Sequence, residues 1–246
     1  MFALIRDWTA VHRSTATNVR LGTVLSFVAG ATNAGGFLAV GQYTSHMTGI
    51  VSSLADTLVL GDLVLAAAAL GALLAFVCGA ATTAWTVNWA LRRRLHSAYC
   101  LPLLLEAALL LVFGLFGAAI GAFATVMVPL TVALLCFIMG LQNAVITKIS
   151  HAEIRTTHVT GLVTDLGIEL GKLLYLNRQA DLPPVLANRA RLRIHGQLVA
   201  SFFAGGLAGA MGFKALGYIT TVPLALLLLV LVARPLWQDL RALARW

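Results

Sequence analysis

The chain has 246 residues, of which 60% are hydrophobic and only 11% charged, with a mean hydropathy of +0.91. A water-soluble domain of this length cannot keep a solvated surface on so few polar residues, so the composition excludes an ordinary globular enzyme and indicates an integral membrane protein. The net charge of +8 fits an excess of Lys and Arg in cytoplasmic loops better than a nucleic-acid surface.

The apolar runs are long and lack the alternation of a membrane barrel, so the expected fold class is an all-α polytopic membrane protein. Residues 1–20 carry no short apolar core followed by a small-residue cleavage site. They read as a cytoplasmic interfacial segment rather than a cleaved signal, with Phe2, Leu4, Ile5, Trp8 and Val11 as its apolar stripe. In chain order, six segments are long enough to cross the bilayer: about 21–41, 63–90, 98–121, 124–147, 192–216 and 218–234. Residues 236–246, with Trp237, Leu240, Leu243 and Trp246 among basic neighbours, read as a cytoplasmic amphipathic tail.

Two segments stand outside this set, SHMTGIVSSLADTLVLGD at 45–62 and TTHVTGLVTDLGIELGK at 156–172. Positive charge decides how they run. Arg6, Arg13 and Arg20 precede the first span and Arg92, Arg93 and Arg94 follow the second, so an even number of crossings must separate the two clusters. The same argument holds for Lys148 and Arg155 against Lys172, Arg178, Arg189, Arg191 and Arg193. Neither segment then crosses. With both termini cytoplasmic, all of the 17 Lys and Arg residues except Lys214 face inward.

The halves align with each other. GATNA at 30–34 matches GLQNA at 140–144, HMTGIVSSL at 46–54 matches HVTGLVTDL at 158–166, and AFVCGAATTA at 75–84 resembles SFFAGGLAGA at 201–210. Each half holds three crossings, an odd number, so residues 21–121 and 122–235 are expected to form a three-plus-three inverted repeat with two short re-entrant helices. Such repeats place a site where they meet, which points to a small secondary transporter or channel-like permease for a small polar or anionic solute rather than an enzyme.

GATNAGGFLAVGQYTSHMTG and the later GLQNA and THVTG blocks resemble the paired signatures of the YoaK-type family of bacterial inner-membrane proteins, over nearly the whole chain. The resemblance implies the membrane architecture and a multi-pass location in the bacterial inner membrane. Where members carry an acidic residue and an Asn, this chain has Thr32-Asn33 and Ile50.

Within the repeat, Thr48-Gly49 and Thr160-Gly161 open the short helices, where a Thr caps free amides and a Gly permits close approach. Two helices that begin inside the membrane would aim their unpaired N–H groups at a shared centre. Asn33 and Asn143, beside Thr32 and Gln142, are amides in apolar context, and each either pins the backbone or meets a solute. His46 and His158 precede the Thr-Gly pairs at one offset, and Ser52 and Asp165 lie on the short helices. Asp56, Glu106 and Glu169 are the remaining candidates for proton or ion coupling. Glu106 stands in LPLLLEAALLLVFG, at a depth where an ionisable group is costly. Its alternative role is a structural pair with a loop Arg, and an intramembrane enzyme using Glu106 with a His, or a scaffold, are the competing functions.

Cys78, Cys100 and Cys136 show no metal or redox spacing and read as packing residues. No cofactor and no metal are expected, and no phosphate loop, GxSxG or HExxH occurs. Gly71/Ala75/Gly79, Gly117/Gly121 and Gly205/Gly209 have the small-xxx-small spacing of close helix contacts, within the chain or in a homodimer.

Overall fold

The computed structural model describes residues 8–9, 14–120, 124–178 and 181–243. Among them there are eight α-helices and no strand: α1 (Thr15–Val40), α2 (Met47–Val59), α3 (Leu63–Arg92), α4 (Cys100–Ile120), α5 (Ala124–Ile149), α6 (Val159–Leu174), α7 (Arg189–Leu216) and α8 (Thr221–Leu243). An all-helical chain satisfies its backbone within each segment, which hydrocarbon demands. By length and composition, four helical stretches can cross a membrane: Thr15–Val40, Leu63–Arg92, Val128–Ile149 and the 54-residue Arg189–Ala242. Cys100–Leu115 is a shorter apolar helix.

The longest stretch is not one rod. Phe213 fills the space beside Gly35 near the end of α1, whereas the Thr9 hydroxyl, ahead of α1, donates to Leu231 C=O at 3.1 Å. Eighteen residues of straight helix would carry the chain about 27 Å further away. Instead it turns back through Gly217, at φ 63 and ψ −141, and the 3₁₀ turn Gly217–Thr220. The φ of Gly217 lies in the left-handed region that a side chain disfavours.

Interhelical contacts fix the directions. α1 runs parallel to α7, with Gly22 facing Leu198 and Gly35 facing Phe213. α3 runs parallel to α5: the Thr83 hydroxyl donates to Leu141 C=O at 3.0 Å, and the Lys148 ammonium to Asn88 at 3.2 Å. α1 and α5 are antiparallel, since Asn18 reaches Ile149 C=O while Gly36 faces Leu135. α4 and α8 are antiparallel as well. The Thr221 hydroxyl donates to Leu110 C=O at 2.8 Å, while the Asp239 carboxylate accepts from the His96 and Ser97 amides at 2.9 and 2.8 Å. The helix ends bearing Arg92, Lys148 and Arg241 therefore gather at the end where α1 and α7 begin.

Glycine makes the closest crossings. Lipid is as apolar as the side chains, so helices in it are held by close packing rather than by expulsion from water. A Cβ on Gly30 would overlap Phe202 C=O, one on Gly205 would overlap Phe27 C=O, one on Gly79 would overlap Phe137 C=O, and one on Gly140 would overlap Phe76 C=O. Gly209 is held in the same way against Ala31. Gly71, in contrast, has open space around it, so the first member of the Gly71/Ala75/Gly79 series makes no close contact. Gly117 faces the Tyr218 ring, and Gly121 lies outside the described residues.

α8 continues through Pro235 to Leu243, so residues 236–243 extend the last helix. Trp237 and Leu240 are exposed there, and the Arg241 guanidinium sits 5.0 Å from the Trp237 ring centroid. Of the expected N-terminal stripe, Phe2, Leu4, Ile5 and Val11 lie outside the described residues, as does Trp246; Trp8 packs against the core. Burial raises the Asp239 carboxyl, but hydrogen bonds from Ser97 and His96 outweigh it and hold the group below its ordinary value of 3.8. This clasp is fully formed above about pH 4 and is lost as acid titrates the carboxylate through its lowered folded value.

Candidate functional site

The twin segments share one construction. After α1 ends at Val40 the chain doubles back, and Asn33 Oδ1 accepts from the Ser45 amide at 3.1 Å. That bond draws Ser45 down to the level of Asn33, about 10 Å below the end of α1. After α5 ends at Ile149 the chain doubles back again, and Asn143 Oδ1 accepts from the Thr157 and Thr156 hydroxyls at 2.7 and 3.4 Å. Its Nδ2 donates to Met139 C=O at 2.9 Å. Both asparagines thus pin a returning loop, and both also line the cavity described below.

The helices that follow begin in the interior. The N-cap residues are His46 and His158, and neither makes a side-chain cap bond. The expected capping by Thr48 and Thr160 is corrected, because each helix starts earlier and both threonines already lie inside the first turn. The first intrahelical bonds run from Ile50 N–H to His46 C=O and from Leu162 N–H to His158 C=O, each 3.1 Å. The amides of residues 47–49 and 159–161 precede them and point out of the helix. The role of the paired glycines is also clear from the geometry. A Cβ on Gly49 would overlap the His46 imidazole, and one on Gly161 would overlap that of His158, so each glycine makes room for a ring folded over its own first turn.

The two helix starts face one cavity of about 850 Å³. His46, Met47 and Thr48 line it from α2, and His158, Val159 and Thr160 from α6. Asn33 with Ser45, and Asn143 with Thr147 and Thr157, add polar groups; Phe76 and Phe202 add two rings. Tyr43 and Arg155 complete the lining, each three residues before its histidine. Arg155 is the one formally charged side chain among them, and no carboxylate of the described residues lines the cavity. A smaller space of about 400 Å³ beside it shares Tyr43 and His46 and includes Gly41, Gln42, Gly49 and Ser53. The Tyr43 ring stacks on Phe37 at 4.5 Å between centroids.

Of the residues singled out in the sequence, the fold brings together Asn33, His46, Thr48, Asn143, His158 and Thr160. Thr32 and Gln142 are buried with their polar atoms unpartnered, and Gly49, Ser52, Gly161 and Asp165 do not line the main cavity. Asp165 lies 3.7 Å from Nδ1 of the buried His195. Of the coupling candidates, Asp56 is exposed away from the cavity. Glu106 is fully buried, with neither oxygen partnered, so the expected pair with a loop Arg does not form among the described residues.

Glu169 is a structural anchor. It accepts from the Lys172 ammonium at 2.8 Å and from the Asn188 amide at 2.6 Å, tying the N-cap of α7 to α6. The Lys172 hydrogen bond, then that of Asn188, holds its carboxyl below the ordinary 4.5. The tie is complete above about pH 4.5 and is lost as pH falls through the lowered folded value. Glu169→Gln is expected to speed tryptic cleavage at the exposed Arg178, and the wild type to show the same acceleration in a protease active in acid. Equal cleavage rates in variant and wild type at neutral pH would remove the anchor role.

The lining residues that sequence reading missed are Tyr43, Ser45, Met47, Phe76, Thr147, Arg155, Thr157, Val159 and Phe202. Repeat register was the available signal: Phe76 and Phe202 are the second residues of the third aligned block, and Tyr43 and Arg155 hold equal offsets. The sequence profile of DUF1275, a protein family of unknown function, matches residues 21–233. The chain belongs to this family. The match covers every residue that lines the cavity, so the site lies wholly inside the DUF1275 domain. No curated protein and no solved structure matches the chain.

Proposed function

We propose that this DUF1275 chain is a six-span inner-membrane permease that moves a small polar or anionic solute through the cavity between α2 and α6. α7 and α8 count as separate crossings, as does α4, and α2 and α6 are the re-entrant helices of two inverted repeats. Both termini lie at the cytoplasmic face, where the basic helix ends gather. The observation that carries the reading is the single cavity onto which both interior helix starts open. The helix directions support inversion: the first helices of the two halves, α1 and α5, are antiparallel. The clasps of Gly30 and Gly140, and of Gly79 and Gly205, use equivalent residues in each half.

An anionic or polar cargo fits the lining, since the free first-turn amides of Met47, Thr48, Val159 and Thr160 and a guanidinium meet no carboxylate of the described residues there. A permease also needs the repeats to move against each other, and helix pairs in contact through glycine slide without dragging large side chains. An intramembrane enzyme built on Glu106 and a histidine lacks comparable support, because Glu106 lies outside the cavity and hydrogen-bonds neither imidazole.

Solute flux into proteoliposomes tests the reading. In a Cys-free background, Thr48→Cys or Thr160→Cys should be transport-competent and then blocked by a small thiol reagent. Purified protein that passes no solute under any gradient, or flux indifferent to the thiol reagent at both positions, would sink it.

A further inference from the structure

The lining of the cavity narrows the class of cargo, and this step rests on the permease reading of the same cavity. Phe76 and Phe202 occupy equivalent positions in the two repeats, and both half-buried residues face the cavity. Their backbones are fixed by the glycine clasps, Phe76 C=O against Gly140 and Phe202 C=O against Gly30. Close helix contacts therefore set the placement of both rings in this conformation. Met47, Val159 and Tyr43 extend the apolar surface.

The polar side of the cavity breaks the symmetry. Tyr43 in one half stands where Arg155 stands in the other, so one permanent positive charge lies off the pseudo-axis, on the loop between α5 and α6. Among the described residues Arg155 forms no ion pair, and the residue is exposed. A guanidinium matches a carboxylate through two parallel N–H bonds, and the hydroxyl of Thr157 and the amide of Asn143 line the same half. A neutral solute would leave that charge unused, and a cation would be repelled.

We infer that the cargo is a water-soluble organic monocarboxylate with an apolar body, its carboxylate held by Arg155 and its body seated between Phe76 and Phe202.

Equilibrium dialysis of the full chain in detergent with labelled benzoate tests this directly. Saturable binding is expected. Unlabelled benzoate should compete, acetate about tenfold less well because it lacks the body, and benzyl alcohol and benzylammonium hardly at all. Arg155→Gln should weaken binding about tenfold or more, the loss of one charge-assisted bidentate contact, with Arg155→Lys recovering part of it. Lys214→Gln, at the opposite helix ends, should change nothing. Absence of saturable benzoate binding overturns the inference, as does equal competition by benzyl alcohol or an unaltered Arg155→Gln affinity. Displacement by dodecanoate at far lower concentration than by benzoate also overturns it, since the occupant is then a lipid. Benzoate binding without flux in proteoliposomes removes the permease reading and leaves this one; flux of a neutral solute without benzoate binding does the reverse.

Discussion

Alanine at Gly30 or Gly140 is expected to destabilise the protein more than alanine at any other glycine in a helix interior away from these crossings. At each position a methyl group meets a backbone carbonyl of the facing helix, which no rotamer change can relieve, so the α1–α7 or α3–α5 pair must move apart. Overpacking of this kind costs about 1–3 kcal/mol per site. The two positions hold different helix pairs, so the double variant should approach the sum of the single effects. Separation of the helices also shifts Phe202 and Phe76, and binding should weaken with stability. The control is Gly71→Ala or Gly167→Ala, where a Cβ meets nothing within 4 Å. There a helix-favouring residue replaces glycine in open space, for a gain of about 0.5–1 kcal/mol. Thermal unfolding in detergent separates the two outcomes, and equal melting temperatures for Gly140→Ala and Gly71→Ala would contradict the clasp.

The second large effect is expected at the asparagines. Asn33→Ala leaves the buried Ser45 amide without its acceptor, and Asn143→Ala leaves the Thr157 hydroxyl without its own. An unpaired buried polar group costs about 1–3 kcal/mol. The consequence reaches beyond stability, because those bonds hold the start of α2 and of α6 in the interior. A free loop lets each helix start drift from the cavity, so solute flux should fall by about tenfold or more, the equivalent of roughly 1.4 kcal/mol. Asn143→Ala should be the more severe, since Asn143 also bonds Thr156 and Met139. Variants that melt early but transport at the wild-type rate would separate pinning from function and remove the asparagines from the account.

Much of this architecture was legible in the residues. Long apolar runs located α1, α3, α4, α5, α7 and α8, because hydrocarbon sets a minimum length, but α1 begins six residues before the expected span and α8 runs nine residues past it. The matched GATNA and GLQNA blocks located both asparagines, and the spacing of Arg and Lys clusters underlies the proposed crossings. What remained hidden depends on distance across the fold. Phe76 reads as one apolar residue among many, and only the approach of α3 to α5 turns it toward a cavity. Arg155 reads as one more cytoplasmic charge until the loop after α5 is seen to fold back. Glu169 and Lys172 looked like coupling candidate and loop charge, and the bond from the Asn188 amide, 19 residues further on, makes them an anchor. Thr48 and Thr160 read as the caps, but the capping positions are held two residues earlier by His46 and His158, because His at a helix start carries a weaker capping signal than Thr. Glu106 read as a coupling candidate because of its depth; it is fully buried, yet sequence depth alone could not tell that it stands apart from the cavity.

The proposed architecture depends on α2 and α6 returning to the face from which they entered, one from each side. Impermeant maleimide labelling of single cysteines tests it most directly, in intact cells and inverted vesicles, with Cys78, Cys100 and Cys136 replaced by Ser. Gln42→Cys and Leu60→Cys, which flank α2, should both label from outside, and Glu153→Cys and Leu176→Cys, which flank α6, only from the cytoplasmic side. Labelling of Gln42→Cys and Leu60→Cys from opposite compartments would make α2 a true crossing and dissolve the shared cavity.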